Sequence, residues 1–151
     1  MRPVRSKLPE KFGKIIGGVW EAQTKHMVSS PVPAFLEPYW RYNRLKVSTI
    51  YMNKEMVKPL FKAFDIIKKN DLADRIHSFD GCFALRKSRR NEKQSVHSWG
   101  LAIDLNAAEN PLGAKPVMCL KLVDAFVMAG FVWGGEWTVP DGMHFQYVTE
   151  D

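Results

Sequence analysis

The chain has 151 residues, of which 46% are apolar and 25% are charged, and its formal net charge is +6. This length suits one domain of ordinary size, and these proportions exclude a disordered or a membrane-embedded chain. No apolar run reaches the roughly 18 residues that a membrane span requires. The positive charge favours polyanionic partners such as nucleic acid, acidic lipid or cell wall, and does not choose among them.

The first fifty residues show no regular periodicity and are interrupted by prolines. Residues 1–20 are basic and lack the continuous apolar stretch of a secretory signal, so we expect a product that is made in a cytoplasm. In that compartment Cys82 and Cys119 are expected to be buried free thiols. Neither belongs to a Cys-x-x-Cys pair, which argues against a thiolate zinc site.

Residues 44–52 are rich in β-formers and predict a strand. Asn53 then has the character of an N-cap for a helix that runs to about Lys69. Apolar residues recur in this helix at spacings of three and four, which predicts one buried face. They are Met56, Leu60, Phe61, Phe64 and Ile67.

Two short strands at residues 75–79 and 82–86 are predicted to meet at an Asp80-Gly81 turn. Residues 101–106 alternate cleanly between apolar and small or polar side chains, as a strand does, and Asp104 lies on the polar side.

A second helix is predicted over residues 116–129, ended by Gly130. Its expected apolar stripe is Val117, Leu120, Val123, Phe126 and Val127. Residues 132–133 and 144–148 complete the chain as strands. Strands and helices do not alternate regularly, so the pattern predicts an α+β fold, an antiparallel sheet with helices packed on it.

Two of the four histidines lie in unusual settings. His97 precedes the strand that carries Asp104, and His144 follows a Pro-Asp-Gly turn into the last strand. An acid on such a strand is costly unless it is paired or binds a metal. Two imidazoles and one carboxylate are the three ligands that a catalytic zinc can keep. From spacing alone, hydrogen-bonded structural histidines remain the more common alternative, and His26 and His77 are expected to be structural or exposed.

The motifs around these residues resemble those of the zinc peptidases of the D-Ala-D-Ala carboxypeptidase family. Within that family the chain is most similar to the L-alanyl-D-glutamate peptidases that bacteriophages use as endolysins. The resemblance is strong over residues 53–147 and weak over residues 1–45. Its motifs are Ser95-x-His97-x-x-Gly100-x-Ala102-x-Asp104, Gly134-Gly135-x-Trp137 and Asp141-x-Met143-His144-Phe145, with Phe79-Asp80-Gly81-Cys82-Phe83 and Arg86 upstream.

The resemblance implies a Hedgehog/DD-peptidase-like fold and a zinc ion (Zn²⁺) held by His97, Asp104 and His144. It also implies metal-assisted hydrolysis, in which zinc lowers the pKa of a bound water from 15.7 toward about 7. Asp141 takes the place of the family's general base, where many carboxypeptidase relatives carry Glu. Arg86 matches a family arginine that stabilises the negative charge developing on the carbonyl oxygen of the substrate.

Other residues near these motifs have weaker expectations. Ser95 and Trp137 are candidate substrate-binding residues, although Ser95 could equally stabilise its own loop. Glu136 is the second candidate for the base, and Trp133 is expected to pack. The remaining basic residues of the loop are expected to be solvated; these are Lys87, Arg89, Arg90 and Lys93.

The resulting hypothesis is a monomeric, single-domain endopeptidase spanning residues 1–151, with residues 46–151 as its catalytic core. Its partner is the peptidoglycan stem peptide, cut between L-Ala and D-Glu, with no nucleic-acid partner and no membrane insertion. A phage endolysin of this kind waits in the host cytoplasm before release to the cell wall. Three alternatives remain open: a D,D-carboxypeptidase, a non-catalytic zinc-stabilised binding domain, and a nucleic-acid-binding module supported by charge alone.

Overall fold

The computed structural model describes residues 1–151 and has a mixed α+β architecture with antiparallel sheets, which confirms the predicted fold class. No helix is both long and apolar enough to cross a membrane. The helices are α1 (Leu8–Phe12), α2 (Gln23–His26), α3 (Lys54–Lys69) and α4 (Leu120–Met128). The strands are β1 (Met27–Pro31), β2 (Arg41–Tyr42), β3 (Leu45–Lys46), β4 (Thr49–Asn53), β5 (Phe79–Gly81), β6 (Ala102–Leu105), β7 (Val132–Trp133) and β8 (His144–Gln146). Short 3-10 helices connect several of them.

The N-terminal part is more ordered than its irregular sequence indicates. Strand β1 pairs with β4 along its whole length, with Met27 opposite Asn53. Leu8, Phe12 and Trp20 are buried in the same apolar core as the later elements. The indole N–H of Trp20 donates a hydrogen bond of 2.8 Å to the carbonyl of Phe12, which fixes α1 against the chain that follows.

The strand predicted over residues 44–52 is in fact two strands, β3 and β4. Asn43 and Arg44 both have positive φ, 47° and 67°, and form the turn between β2 and β3. Strand β4 does not belong to this hairpin and pairs with β1 instead. A run of β-formers does not reveal where one strand stops and the next begins, because both halves have the same composition.

Helix α3 confirms the prediction at both ends. The Asn53 side chain accepts a hydrogen bond of 3.0 Å from the backbone N–H of Glu55, as an N-cap does. The amide of the same side chain donates to the carbonyl of Trp99 at 3.0 Å. The start of α3 is therefore tied directly to the segment that carries His97.

The predicted hairpin around Asp80-Gly81 is wrong. These two residues lie inside β5, which pairs with β6, and residues 82–86 form no strand. The cause is the Asp80 carboxylate, which accepts hydrogen bonds from Ser78 Oγ at 2.7 Å and from the backbone N–H of Ala107 at 2.9 Å. These bonds anchor Asp80 beside the end of β6 instead of leaving it in a turn.

Helix α4 begins later than predicted. The backbone N–H of Val117 donates to the Asn110 side chain at 2.8 Å, and this bond helps hold the preceding residues in a loop. Val123 and Phe126 are buried as expected, whereas Val117, Leu120 and Val127 are exposed, so three of the five residues of the predicted stripe are wrong. Gly130 follows the helix with φ 104°, in agreement with its predicted role as the stop.

The main sheet has the antiparallel strand order β5-β6-β8-β7. Phe145 of β8 stacks on Phe126 of α4 with ring centroids 4.4 Å apart, so α4 covers one face of this sheet. In the register between β6 and β8, Asp104 lies directly opposite His144. Both cysteines are free thiols; Cys82 is buried, while Cys119 is only partly buried.

Candidate metal centre

His97, Asp104 and His144 converge at one point, and their ligand atoms all lie within 4.8 Å of one another. Nε2 of His97 is 3.2 Å from Oδ2 of Asp104, and Nδ1 of His144 is 3.1 Å from Oδ1 of the same carboxylate. The two imidazole nitrogens are themselves 3.2 Å apart. Three donors turned toward a common point suit a divalent cation that keeps further coordination positions open.

Two structural features bring the three side chains together: a strand pairing and a short 3-10 helix. The pairing of β6 with β8 sets Asp104 opposite His144. His97 lies on a 3-10 helix, Val96–Trp99, whose N-cap is Ser95 and whose end is Gly100 with φ 65°. A Cβ atom at Gly100 would lie 2.7 Å from Sδ of Met27 and 2.8 Å from the backbone nitrogen of Asn53, so only glycine fits.

Each histidine is oriented by a hydrogen bond at its other ring nitrogen. Nδ1 of His97 donates to the carbonyl of Cys82 at 2.8 Å, and Nε2 of His144 donates to Oε1 of Gln146 at 2.9 Å. These bonds leave Nε2 of His97 and Nδ1 of His144 free to face Asp104. Such supporting bonds fix the tautomer and raise the basicity of a metal ligand, so the donor set fits a metal.

Electrostatics at the centre favour ionised Asp104. Burial alone would raise the pKa of Asp104, but the charge of His97 and hydrogen bonds from both histidines hold it well below its usual range. Burial likewise disfavours the charged form of His144, but the bond to Asp104 raises the pKa of His144 overall. Burial raises the pKa of the Cys82 thiol, so this neighbour offers no thiolate.

Asp141 lines the same cavity as the three candidate ligands. Its backbone is fixed on both sides: its N–H donates to the carbonyl of Gly134 at 2.8 Å, and its carbonyl accepts from the N–H of His144 at 3.1 Å. Oδ1 of Asp141 is buried and has no hydrogen-bond partner within the chain. Burial raises the pKa of this carboxyl, and the charge of His144 opposes the rise.

Arg86 and Ser95 also line this cavity. The backbone of Arg86 is held by Ser98 Oγ at 3.1 Å, by the N–H of Ser95 at 2.9 Å and by the Gln94 amide at 2.9 Å. Its guanidinium donates to the carbonyl of Lys87 at 3.2 Å. The Ser95 hydroxyl accepts from the N–H of His97 at 3.3 Å, so it stabilises its own loop while bordering the cavity.

Trp137 lies close to the candidate ligands, whereas Glu136 lies apart from them. The Trp137 ring lies 5.4 Å from the His144 ring, but the guanidinium of Arg90 covers one of its faces at 3.8 Å. Glu136 is exposed and borders a separate depression, not the cavity of the three candidate ligands.

The two glycines before Trp137 serve internal packing. A Cβ atom at Gly134 would lie 2.7 Å from the Asp141 carbonyl oxygen, and one at Gly135 would overlap the Trp133 ring. The indole N–H of Trp133 donates to the Gly142 carbonyl at 2.8 Å, in keeping with its predicted packing role.

The other two histidines lie outside the site. His26 stacks on Trp20 with ring centroids 5.9 Å apart, and exposed His77 pairs with Glu109 at 3.1 Å.

Sequence reasoning missed three residues at this site. Gln146 follows His144 by two positions on β8, and this spacing on a strand indicates a shared face. Arg90, expected to be solvated, instead lies against Trp137 and lines the cavity. Arg5 lines it too, yet nothing in the local sequence signals this, because Arg5 comes from the opposite end of the chain.

Fold and donor set together define an α+β protein with a candidate metal centre in a cavity. Residues 88–147 match the family model described as D-alanyl-D-alanine carboxypeptidase. Over these residues the match confirms the resemblance inferred from the motifs. The matched segment contains all three candidate ligands and Asp141, whereas Arg86 lies just before it. No curated protein and no solved structure matches the chain.

Proposed function

We propose that this protein is a zinc-dependent peptidase that hydrolyses the stem peptide of peptidoglycan and acts as a phage endolysin. The observation that carries the proposal is the convergence of His97, Asp104 and His144 within 4.8 Å, beside a buried and unpartnered Asp141 carboxylate oxygen. Two imidazoles and one carboxylate suit Zn²⁺, and no cysteine competes as a ligand. Bound zinc supplies a Lewis acid and an activated water at neutral pH.

The chain's own groups have distinct tasks in this proposal. Asp141 accepts the proton of the attacking water at its carboxylate and later delivers it to the leaving amine nitrogen. Burial raises the pKa of Asp141, which makes its protonated form accessible during turnover. Arg86 borders the cavity as a cation that can stabilise negative charge growing on the carbonyl oxygen. Ser95 and Trp137 are proposed to border the bound peptide.

The bond we propose is the one between L-Ala and D-Glu, because the combined motifs resemble the phage L-alanyl-D-glutamate peptidases most closely. The competing function is removal of a terminal D-Ala, which the description of the matching family model favours. The two activities differ in their products. Endopeptidase action creates a new free amino group on D-Glu, whereas carboxypeptidase action releases free D-Ala.

Digestion of purified peptidoglycan followed by mass spectrometry separates these outcomes. We expect a free D-Glu amino group, its loss on addition of a chelator and its return on addition of zinc. Release of D-Ala alone would indicate a D,D-carboxypeptidase instead of the endopeptidase. If the zinc-loaded protein releases neither product, the alternative of a non-catalytic binding domain is favoured.

A further inference from the structure

The guanidinium of Arg90 lies over the face of Trp137, with its central carbon 3.8 Å from the ring centroid. Arg90 lines the same cavity as His97, Asp104 and His144. The hydrogen bond that Arg90 makes within the chain comes from its backbone N–H to Ser88 Oγ, and its side-chain N–H groups donate none. The side-chain N–H groups of Arg90 are therefore free to bind a ligand in this cavity.

Glu150 forms a loose ion pair with this cation without a hydrogen bond. Oε1 of Glu150 is 3.8 Å from Nη2 of Arg90, beyond hydrogen-bond distance. The same oxygen receives a charge-assisted bond from Arg5 at 2.7 Å and a bond from the Gln146 amide at 3.1 Å. The hydrogen bonds of Glu150 thus come from Arg5 and Gln146, and the side-chain donors of Arg90 remain available.

The position of Arg90 is set by its neighbours. The Trp137 ring packs against one face of the guanidinium. The centroids of the Trp137 and His144 rings are 5.4 Å apart. The side chain of Arg90 is only 21% exposed and is therefore already restrained by the fold. Binding a ligand then costs less conformational entropy than it would for a fully exposed arginine. Burial lowers the pKa of Arg90, with Glu150 opposing the shift, but an arginine stays protonated at neutral pH.

A planar guanidinium with two adjacent free N–H groups matches a carboxylate in bidentate geometry. Both bonds considered above share one chemical feature: the residue that leaves carries a free carboxylate on the carbon attached to the leaving nitrogen. We propose that Arg90, held on Trp137, binds this carboxylate and selects substrates that carry it. This inference rests on the proposed function, since it names the group that the same site recognises in its substrate.

The test compares ligands that differ only in this carboxylate. One pair is an L-alanyl-D-glutamyl peptide and its D-isoglutaminyl counterpart, in which the α-carboxylate is a carboxamide. A second pair is a D-alanyl-D-alanine peptide and its C-terminal amide. KM and kcat are measured with zinc-loaded protein, and dissociation constants are measured by calorimetry with metal-free protein, where no turnover interferes.

The variants are Arg90→Gln and Arg90→Lys, with Lys87→Gln as the control that removes the same charge from an exposed side chain of the same loop. In the wild type we expect the carboxylate ligand to bind about 10- to 100-fold more tightly than the carboxamide, the effect of a charge-assisted hydrogen bond. Arg90→Gln should abolish this preference, mainly through KM, and Lys87→Gln should keep it. Arg90→Lys should retain an intermediate preference, because it keeps the charge without the planar fork.

Zinc content and melting temperature establish that each variant is folded. A wild-type preference in Arg90→Gln or in Arg90→Lys would overturn the assignment, as would a wild type that does not discriminate in either assay. The two proposals fail separately. Cleavage without discrimination refutes the role of Arg90 alone, whereas Arg90-dependent discrimination in binding without any cleavage refutes the proposed peptidase alone.

Discussion

At the scale of single residues, the two candidate histidine ligands face the centre with different nitrogens. His97 uses Nε2 because its Nδ1 is bonded to the Cys82 carbonyl, and His144 uses Nδ1 because its Nε2 is bonded to Gln146. Gln146 is fully buried, and its amide donates onward to the Val148 carbonyl at 3.1 Å. The orientation of His144 thus depends on a side chain that is itself fixed by the C-terminal segment.

The first prediction concerns Gln146→Met, which keeps the volume of the side chain and removes the acceptor for His144. We expect zinc affinity to fall about 10- to 100-fold, the usual effect of losing such a supporting bond. Competition with a chromogenic chelator measures the affinity. Gln23→Met, far from the centre and bonded to Tyr51, serves as the control and should bind zinc as the wild type does. Equal affinity in both variants would refute the supporting role of Gln146.

The second prediction concerns the base. Asp141→Asn should retain zinc, because Asp141 is not a candidate ligand, and should lose about 10²- to 10⁴-fold in kcat. Glu136→Gln is the matched control, since Glu136 is exposed and borders a different depression. Zinc content and steady-state kinetics are measured on both proteins. Full activity in Asp141→Asn together with loss in Glu136→Gln would move the base to Glu136.

The third prediction concerns pH. In the metal-free protein the pKa of His144 is raised above its unfolded value of about 6.5, chiefly because the bond to Asp104 outweighs burial. A raised folded pKa stabilises the protein below the unfolded pKa, and this contribution is lost as pH rises through the folded pKa. Bound zinc displaces this proton, so zinc affinity should fall as pH decreases through the raised pKa of His144.

Two titrations check this expectation. Chelator competition between pH 5.5 and 8.5 should give weaker zinc binding at the acidic end, and the melting temperature of the metal-free protein should decrease as pH rises. Asp104→Asn removes the group that raises the pKa of His144, so its metal-free stability should vary less with pH. Zinc binding that is equally tight at both ends of the range would contradict the coupling.

At the scale of elements, the sequence predicted best what depends on near neighbours. Helix α3 was predicted closely because its cap, Asn53, bonds to Glu55 two residues away. Strand β6 was predicted by the alternation of its own residues. Strand β5 was missed because Asp80 is held by Ala107, 27 residues further on, and no local pattern encodes that bond.

The pairing of β6 with β8 shows the same limit at the candidate site. Motif resemblance named Asp104 and His144 as partners, but their position on opposite strands depends on a register between segments 40 residues apart. Helix α4 illustrates a further limit. Its apolar periodicity is real, yet Leu120 and Val127 are exposed, because the sequence alone does not show which sides of a helix other elements cover.

The fourth prediction belongs to the 3-10 helix that carries His97. Gly100→Ala should lower the free energy of unfolding by about 2 to 4 kcal/mol, because it combines a positive φ with overlap against Met27 and Asn53. Gly17→Ala is the matched control: Gly17 also has a positive φ, 57°, but nothing lies within 4 Å of the added carbon. Its cost should be about 1 to 2 kcal/mol. Urea unfolding measures both, and equal losses would contradict the packing argument.

At the scale of the whole molecule, the two ends of the chain meet beside the candidate site. Val4 forms a parallel bridge with Thr149, and Arg5 bonds to Glu150 at 2.7 Å and to the Gln94 carbonyl at 2.9 Å. Arg5 is nearly buried and borders the cavity. The weakly matched N-terminal part thus contributes a cation to the site, through a contact that spans 145 residues and that no motif could have revealed.

The proposed function depends on His97, Asp104 and His144 acting together as metal ligands, and the zinc stoichiometry of purified protein tests this most directly. Native mass spectrometry should show one zinc ion per wild-type chain. The ion should be lost in His97→Ala, Asp104→Ala and His144→Ala, and retained in His77→Ala, whose side chain is exposed and pairs with Glu109. A wild type that binds no zinc, or ligand variants that keep one zinc ion per chain, would contradict this assignment of the ligands.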